Sequence, residues 1–102
     1  MVYLPYYIVY ADEISSHIRA LTARQRATVF DAINQQLSYE PAVETRNRKP
    51  LRPNALASWE LRVGDLRVYY DVQEDPEQQV NVTAIGIKIR NRVLIAGRLY
   101  DL

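Results

Sequence analysis

The side chains best equipped for chemistry in this sequence are arginine, lysine and tyrosine, set between Trp59 and Arg90. An arginine is a permanent cation whose fork can hold a phosphate through two parallel hydrogen bonds. Arg62 and Arg67 are the two in this stretch that flank a Gly64-Asp65 turn. A lysine whose pKa is depressed by neighbouring arginines, or a tyrosine, can take the proton from a ribose 2′-OH. Lys88 and Tyr69 are of those types, and Glu60 is the acid in their midst. The set suits phosphodiester chemistry without histidine or metal. The same residues also suit cross-strand ion pairs on a solvated face, each worth a few tenths of a kcal/mol.

Other chemistries are poorly provided for. No cysteine exists, so disulfides, thiolate catalysis and iron–sulfur clusters are excluded, and the absence fits a reducing cytoplasm. His17 is the sole histidine and reads as a surface or boundary residue of a helix. No spacing suggests a metal site, and the three glycines (64, 86 and 97) form neither a P-loop nor a dinucleotide fingerprint. No cofactor is expected. No apolar run reaches the roughly 18–20 residues of a membrane span. The apolar start, Met1 to Tyr10, reads as a first strand and not a signal peptide.

The net charge of +1 hides an asymmetry. Residues 1–45 carry three arginines against five acids, whereas residues 46–102 carry ten basic residues against seven acids. Four of the ten are Arg46, Arg48, Lys49 and Arg52. This local basic patch, with Arg90 beyond it, suggests an anionic partner met by one face, with RNA as the expected contact.

The elements that must position these groups follow from periodicity. The 102 residues suffice for one domain. Tyr6, Ile8 and Tyr10 alternate with Tyr7 and Val9 in an aromatic, β-branched run that predicts a strand, central because both faces are apolar. Ile14, Ile18 and Leu21 form one helical stripe starting at Asp12 or Glu13, and Val29, Phe30, Ile33 and Leu37 form another. Thr22 and Gln25 have capping-box spacing, and Tyr39-Glu40-Pro41 stops the second helix. Residues 40–55 read as an exposed irregular connection. Ser58–Val63 and Leu66–Val72 form a hairpin about Gly64-Asp65, and Val80–Ile85 is a further strand. Ile85, Ile87 and Ile89 alternate with Gly86, Lys88 and Arg90, so Lys88 and Arg90 share a side. The tail from Arg92 to Leu102 suits either a short strand or a helical turn.

The expected class is α+β with order β-α-α-β-β-β, a helical hairpin packed on one face of a small, mostly antiparallel sheet. Strand alternation turns Trp59, Leu61, Val63, Leu66, Val68 and Tyr70 toward the helices. It leaves Glu60, Arg62, Arg67, Tyr69 and Asp71 on the opposite, open face.

The run Trp59-Glu-Leu-Arg-Val-Gly-Asp-Leu-Arg-Val-Tyr-Tyr-Asp71, together with Leu51, Ala84-Ile-Gly-Ile-Lys88 and the β-α-α start, resembles the RelE/ParE superfamily of type II toxin–antitoxin toxins. The resemblance covers nearly the whole chain. It implies the RelE-like fold, a cytoplasmic location and a cognate antitoxin that binds the toxin in a hetero-oligomer. For RelE-like members it implies cleavage of mRNA on the ribosome by 2′-OH attack on the adjacent phosphate. For ParE-like members it implies poisoning of DNA gyrase, and a decayed member would only bind antitoxin. By position, Arg67 matches the hairpin arginine used on the phosphate, Lys88 the basic residue after the third-strand glycine, and Arg62 a recurrent position. RelE-like members carry lysines where this chain has Ser58 and Glu60, and their late tyrosine falls at Leu94, close to Tyr100. Glu60, Lys49 and Tyr69 are therefore the alternatives for general base.

Overall fold

The computed structural model describes residues 4–101. The longer helix, α2 (Ala23–Leu37), starts where the sequence predicts. Thr22 Oγ1 accepts from the Gln25 backbone N–H at 3.1 Å, and the Gln25 side chain accepts from the Thr22 N–H at 2.8 Å. These bonds satisfy two donors that the first helical turn leaves unpaired. The preceding helix, α1 (Ile14–Arg19), is short, and Leu21 is buried just beyond its end. The Arg26 guanidinium donates to the carbonyls of Ile18 and Leu21 and so ties the two helices together. After α2 the chain reverses through Glu40, whose φ is 55°.

The sheet contains β1 (Tyr7–Tyr10), β2 (Arg48–Pro50), β3 (Trp59–Val63), β4 (Leu66–Gln73), β5 (Gln79–Ile89), β6 (Arg92–Ile95) and β7 (Arg98–Asp101). Its order is β2-β3-β4-β5-β6-β7, all antiparallel, with β1 added parallel to β5. The class is α+β as expected, with three departures in detail. The connection at 40–55 contains β2, which extends the hairpin at its edge. The tail forms a β6–β7 hairpin whose turn places Ala96 and Gly97 at φ 49° and 84°. And β1 is not central: it pairs with β5 alone, so Tyr7 and Val9 stay exposed while Tyr6, Ile8 and Tyr10 pack inward. An apolar run on both faces does not distinguish a central strand from one that buries a single face.

The helices cover one face of the sheet. Val29, Ile33 and Leu37 are fully buried against Leu61, Val68, Tyr70, Val80, Val82 and Ile85. Trp59 stacks on Tyr70 with ring centroids 6.2 Å apart, and the Tyr70 hydroxyl donates to the Pro41 carbonyl at 2.8 Å. A bulge makes this face continuous along β5. Tyr69 pairs with Ala84 but Tyr70 pairs with Val82, so Thr83 is the extra residue. Side chains alternate along a strand, and one inserted residue shifts the phase. Val80 and Val82 before the bulge and Ile85 and Ile87 after it all meet the helices, while Ala84, Gly86 and Lys88 face away.

Candidate phosphate-binding cavity on the second face of the sheet

The opposite face is not open. The loop 51–57 and the β6–β7 hairpin fold across it, and Ala57, Tyr69, Ala84, Val93 and Ile95 form a second, smaller core there, with Leu51, Leu56 and Tyr100 at its margin. Gly86 permits this closure: a Cβ on it would lie 2.6 Å from the Leu94 carbonyl oxygen and 2.7 Å from the Ile95 side chain. As a result Glu60 and Arg67 are buried at 7% and 8% exposure, and Tyr69 is fully covered.

Strand register brings the polar residues into two adjacent rows. Lys49 pairs with Glu60, Glu60 with Tyr69, and Tyr69 with Ala84. In the next row Arg62 pairs with Arg67, and Arg67 with Gly86. Lys88 lies two residues past Gly86 on the same face. Directly opposed like charges repel. The Glu60 carboxylate offsets this, because Oε1 accepts from Arg62 Nε at 2.9 Å. Its Oε2 accepts from the Tyr69 hydroxyl at 3.1 Å.

Arg67 is anchored by its own turn. Gly64 adopts φ 58°, and Arg67 Nη1 donates to the Gly64 and Leu66 carbonyls at 2.7 and 2.8 Å. Only part of the guanidinium is used, so the remaining N–H groups keep a fixed direction. Together Glu60, Arg62, Arg67 and Lys88 line a cavity of about 330 Å³. Leu51, Asn91, Arg92 and Val93 complete its wall. Four cations around one carboxylate favour an anion the size of a phosphate. Among the described residues the Lys88 ammonium has no ion-pair partner, whereas Arg92 Nε pairs with Asp101 at 3.2 Å.

Sequence reasoning named Glu60, Arg62, Arg67 and Lys88, and the fold brings them together. It missed Arg92, because a tail of undecided conformation assigns no face to its residues. The basic pair bracketing Asn91, in Arg90-Asn91-Arg92, was the available signal. Arg90 itself lies in the β5–β6 turn at φ 57°, exposed and outside the cavity wall. Lys49 shares the face but pairs with Glu44 at 3.5 Å. Arg46 and Arg52 are exposed on the connection.

Two expectations need correction. Arg48 was grouped with the RNA-contacting arginines, yet it is buried and structural. Its register partner is core Leu61, and its guanidinium donates to the Gln36 carbonyl at 2.7 Å and the Val43 carbonyl at 3.0 Å. It thereby satisfies a carbonyl at the C-terminal end of α2. Tyr69 was an alternative general base. Burial and the adjacent Glu60 carboxylate push its hydroxyl above the usual phenol range, against a smaller downward pull from Arg67 and Arg62. It is a donor to Glu60. Tyr100 lies at the margin of the second core, with Arg98 5.5 Å from its ring centre, and does not line the cavity.

His17 is more buried than a surface histidine. Its Nδ1 accepts from the Ile85 N–H at 3.3 Å, just past the bulge. That part of β5 lies between its pairing with β1, which ends at Val82, and its pairing with β6, which begins at Ile87. Burial lowers the His17 pKa, opposed by Glu13. Among the described residues no three His, Cys, Asp or Glu side chains stand together as metal ligands, and no helix is long and apolar enough to cross a membrane.

No protein-family model matches the chain, and no curated protein does. The structure is similar to a chain in the crystal structure of the RelBE2 toxin–antitoxin complex from Mycobacterium tuberculosis. The two share 24% sequence identity over 85% of this chain and 95% of that chain, with a TM-score of 0.71. The likeness establishes the RelE-like fold expected from the hairpin.

Proposed function

We propose that this chain is a single-domain, cytoplasmic toxin of a type II toxin–antitoxin system that cuts mRNA on the ribosome. The cavity carries the reading: Arg62, Arg67, Lys88 and Arg92 line it together with Glu60. The fold match to a chain of a toxin–antitoxin complex supports a cognate antitoxin as partner.

In this mechanism the scissile phosphate sits among Arg67, Arg62 and Lys88. Glu60 takes the proton from the 2′-OH, since its carboxylate keeps free lone pairs beside the two bonds it accepts. The 2′-oxygen bonds to phosphorus, and the bond to the 5′-oxygen breaks. Lys88 gives the departing oxygen a proton, and the products are a 2′,3′-cyclic phosphate and a 5′-hydroxyl. Arg67, held by two carbonyls, meets the developing charge without having to reorganise. Exposed Arg46, Arg52 and Arg90, with half-buried Lys49, contact the flanking RNA.

The test uses purified ribosomes programmed with mRNA, and the RNA ends are mapped. The wild type should leave cyclic-phosphate ends. Lys88→Ala should cut about a hundredfold more slowly, the scale of losing one preorganised charge donor. Its thermal midpoint should stay within the small change expected of an exposed position. Absence of cleavage by the wild type would sink the nuclease reading. Gyrase-linked DNA breaks on expression would then assign the toxin to the other branch, to which Glu60 in a lysine position also points.

A further inference from the structure

A second cavity, of about 450 Å³, adjoins the first, and Leu51 lines both. Its walls include Arg52, Asn54, Leu56, Ser58 and Asp71. We infer that this cavity is a nucleobase subsite selective for guanine, with the Asp71 carboxylate as the reading group. The inference rests on the nuclease reading for its substrate, since the base would belong to a nucleotide beside the bound phosphate.

The loop is built as a rigid wall. Asn54 Oδ1 accepts from the N–H groups of Leu56 and Ala57, and Asn54 Nδ2 donates to the Arg52 and Ala57 carbonyls. Thr83, the bulge residue, donates its hydroxyl to the Leu56 carbonyl at 2.9 Å and so ties the loop to the sheet. Leu51 and Leu56 offer apolar surface for the flat face of a base.

Asp71 stands on the same sheet face as Glu60 and Arg67, and the phosphate chemistry makes no use of it. Its Oδ1 accepts from the Ser58 N–H at 2.8 Å, which fixes the carboxylate. Among the described residues Oδ2 has no hydrogen-bond partner, and a carboxylate has about four lone-pair sites in all. Such a group can accept two adjacent donors. The pairing edge of guanine presents N1–H beside the 2-amino group. Adenine and cytosine set an acceptor next to their amino group, and uracil flanks its one N–H with carbonyls. A carboxylate is repelled by those acceptors, so only guanine matches.

The test titrates the intact chain with 5′-GMP, AMP, CMP and UMP and follows backbone amide shifts. All four carry the same phosphate, so a difference reports the base. GMP should bind most tightly and shift the Ser58 and Asp71 amides. Asp71→Asn keeps an acceptor for Ser58 and should weaken GMP about tenfold while leaving UMP unchanged. Equal binding of the four nucleotides, or GMP binding that D71N does not touch, overturns the subsite. If GMP selectivity appears but programmed ribosomes are not cut, the subsite stands and the nuclease reading fails.

Discussion

The two faces of the sheet solve the same problem differently. On the helix side, Val29, Ile33, Leu37, Leu61, Val68 and Tyr70 exclude water with aliphatic and aromatic bulk, and the one deep hydroxyl, on Tyr70, is paired. On the far side a loop and a two-strand hairpin close over a small apolar cluster that shares its space with Glu60 and Arg67. The first face is made of interchangeable hydrophobic volume. The second is made of specific partners, each polar group holding another: Tyr69 and Arg62 hold Glu60, and the hairpin turn holds Arg67. Stability should therefore be concentrated on the first face and chemistry on the second.

Ile33→Ala should break the molecule on the stability side. Ile33 has no solvent exposure, and truncating such a side chain costs about 2–5 kcal/mol. A urea titration checks this. A loss comparable to that of a surface substitution would mean the helices are not the main core. Lys88→Ala is the counterpart: activity should fall while the urea midpoint holds.

Gly86→Ala tests whether the second face is closed as tightly as it looks. The added methyl meets backbone at Leu94 and side chains of Ile95 and Val93, so the β6–β7 hairpin must shift. Overpacking of this kind costs about 1–3 kcal/mol. Hydrogen exchange should show the loss confined to residues 92–101, with the helix side unchanged. Uniform loosening of both faces would erase the distinction drawn between them.

The smallest effect is expected from His17, which stands at the seam between the α1 and β5 elements. Burial lowers its folded pKa below the ordinary 6.5, with Glu13 opposing. The unfolded chain then binds the proton more readily than the folded one, so stability falls as pH drops from 6.5 toward the folded pKa, and is complete above 6.5. His17→Gln, which keeps an acceptor for Ile85 but does not titrate, should flatten the urea midpoint across this window. An unchanged slope in H17Q would remove His17 as its source.

Much of the frame was legible in the residues alone. The capping box at Thr22, the stripes on both helices and the hairpin about Gly64 are local patterns, and local patterns need only their own neighbours to be read. The same alternation put Glu60, Arg62 and Arg67 on one face, and the resemblance to RelE-like toxins added Lys88.

What tertiary structure alone decided lies where two distant segments meet. The Thr83 bulge reverses the phase of β5, and nothing at Thr83 announces it, because its cause is the need to bury Val82 and Ile85 on one side. Arg48 looks like its neighbours Arg46 and Lys49 until β2 pairs with β3 and the end of α2 supplies carbonyls for it. The sequence determined that a cationic face would exist around Arg67. Whether that face would be open or roofed depended on a tail pairing with β5 and folding over Gly86, a contact whose energy resides in neither segment by itself.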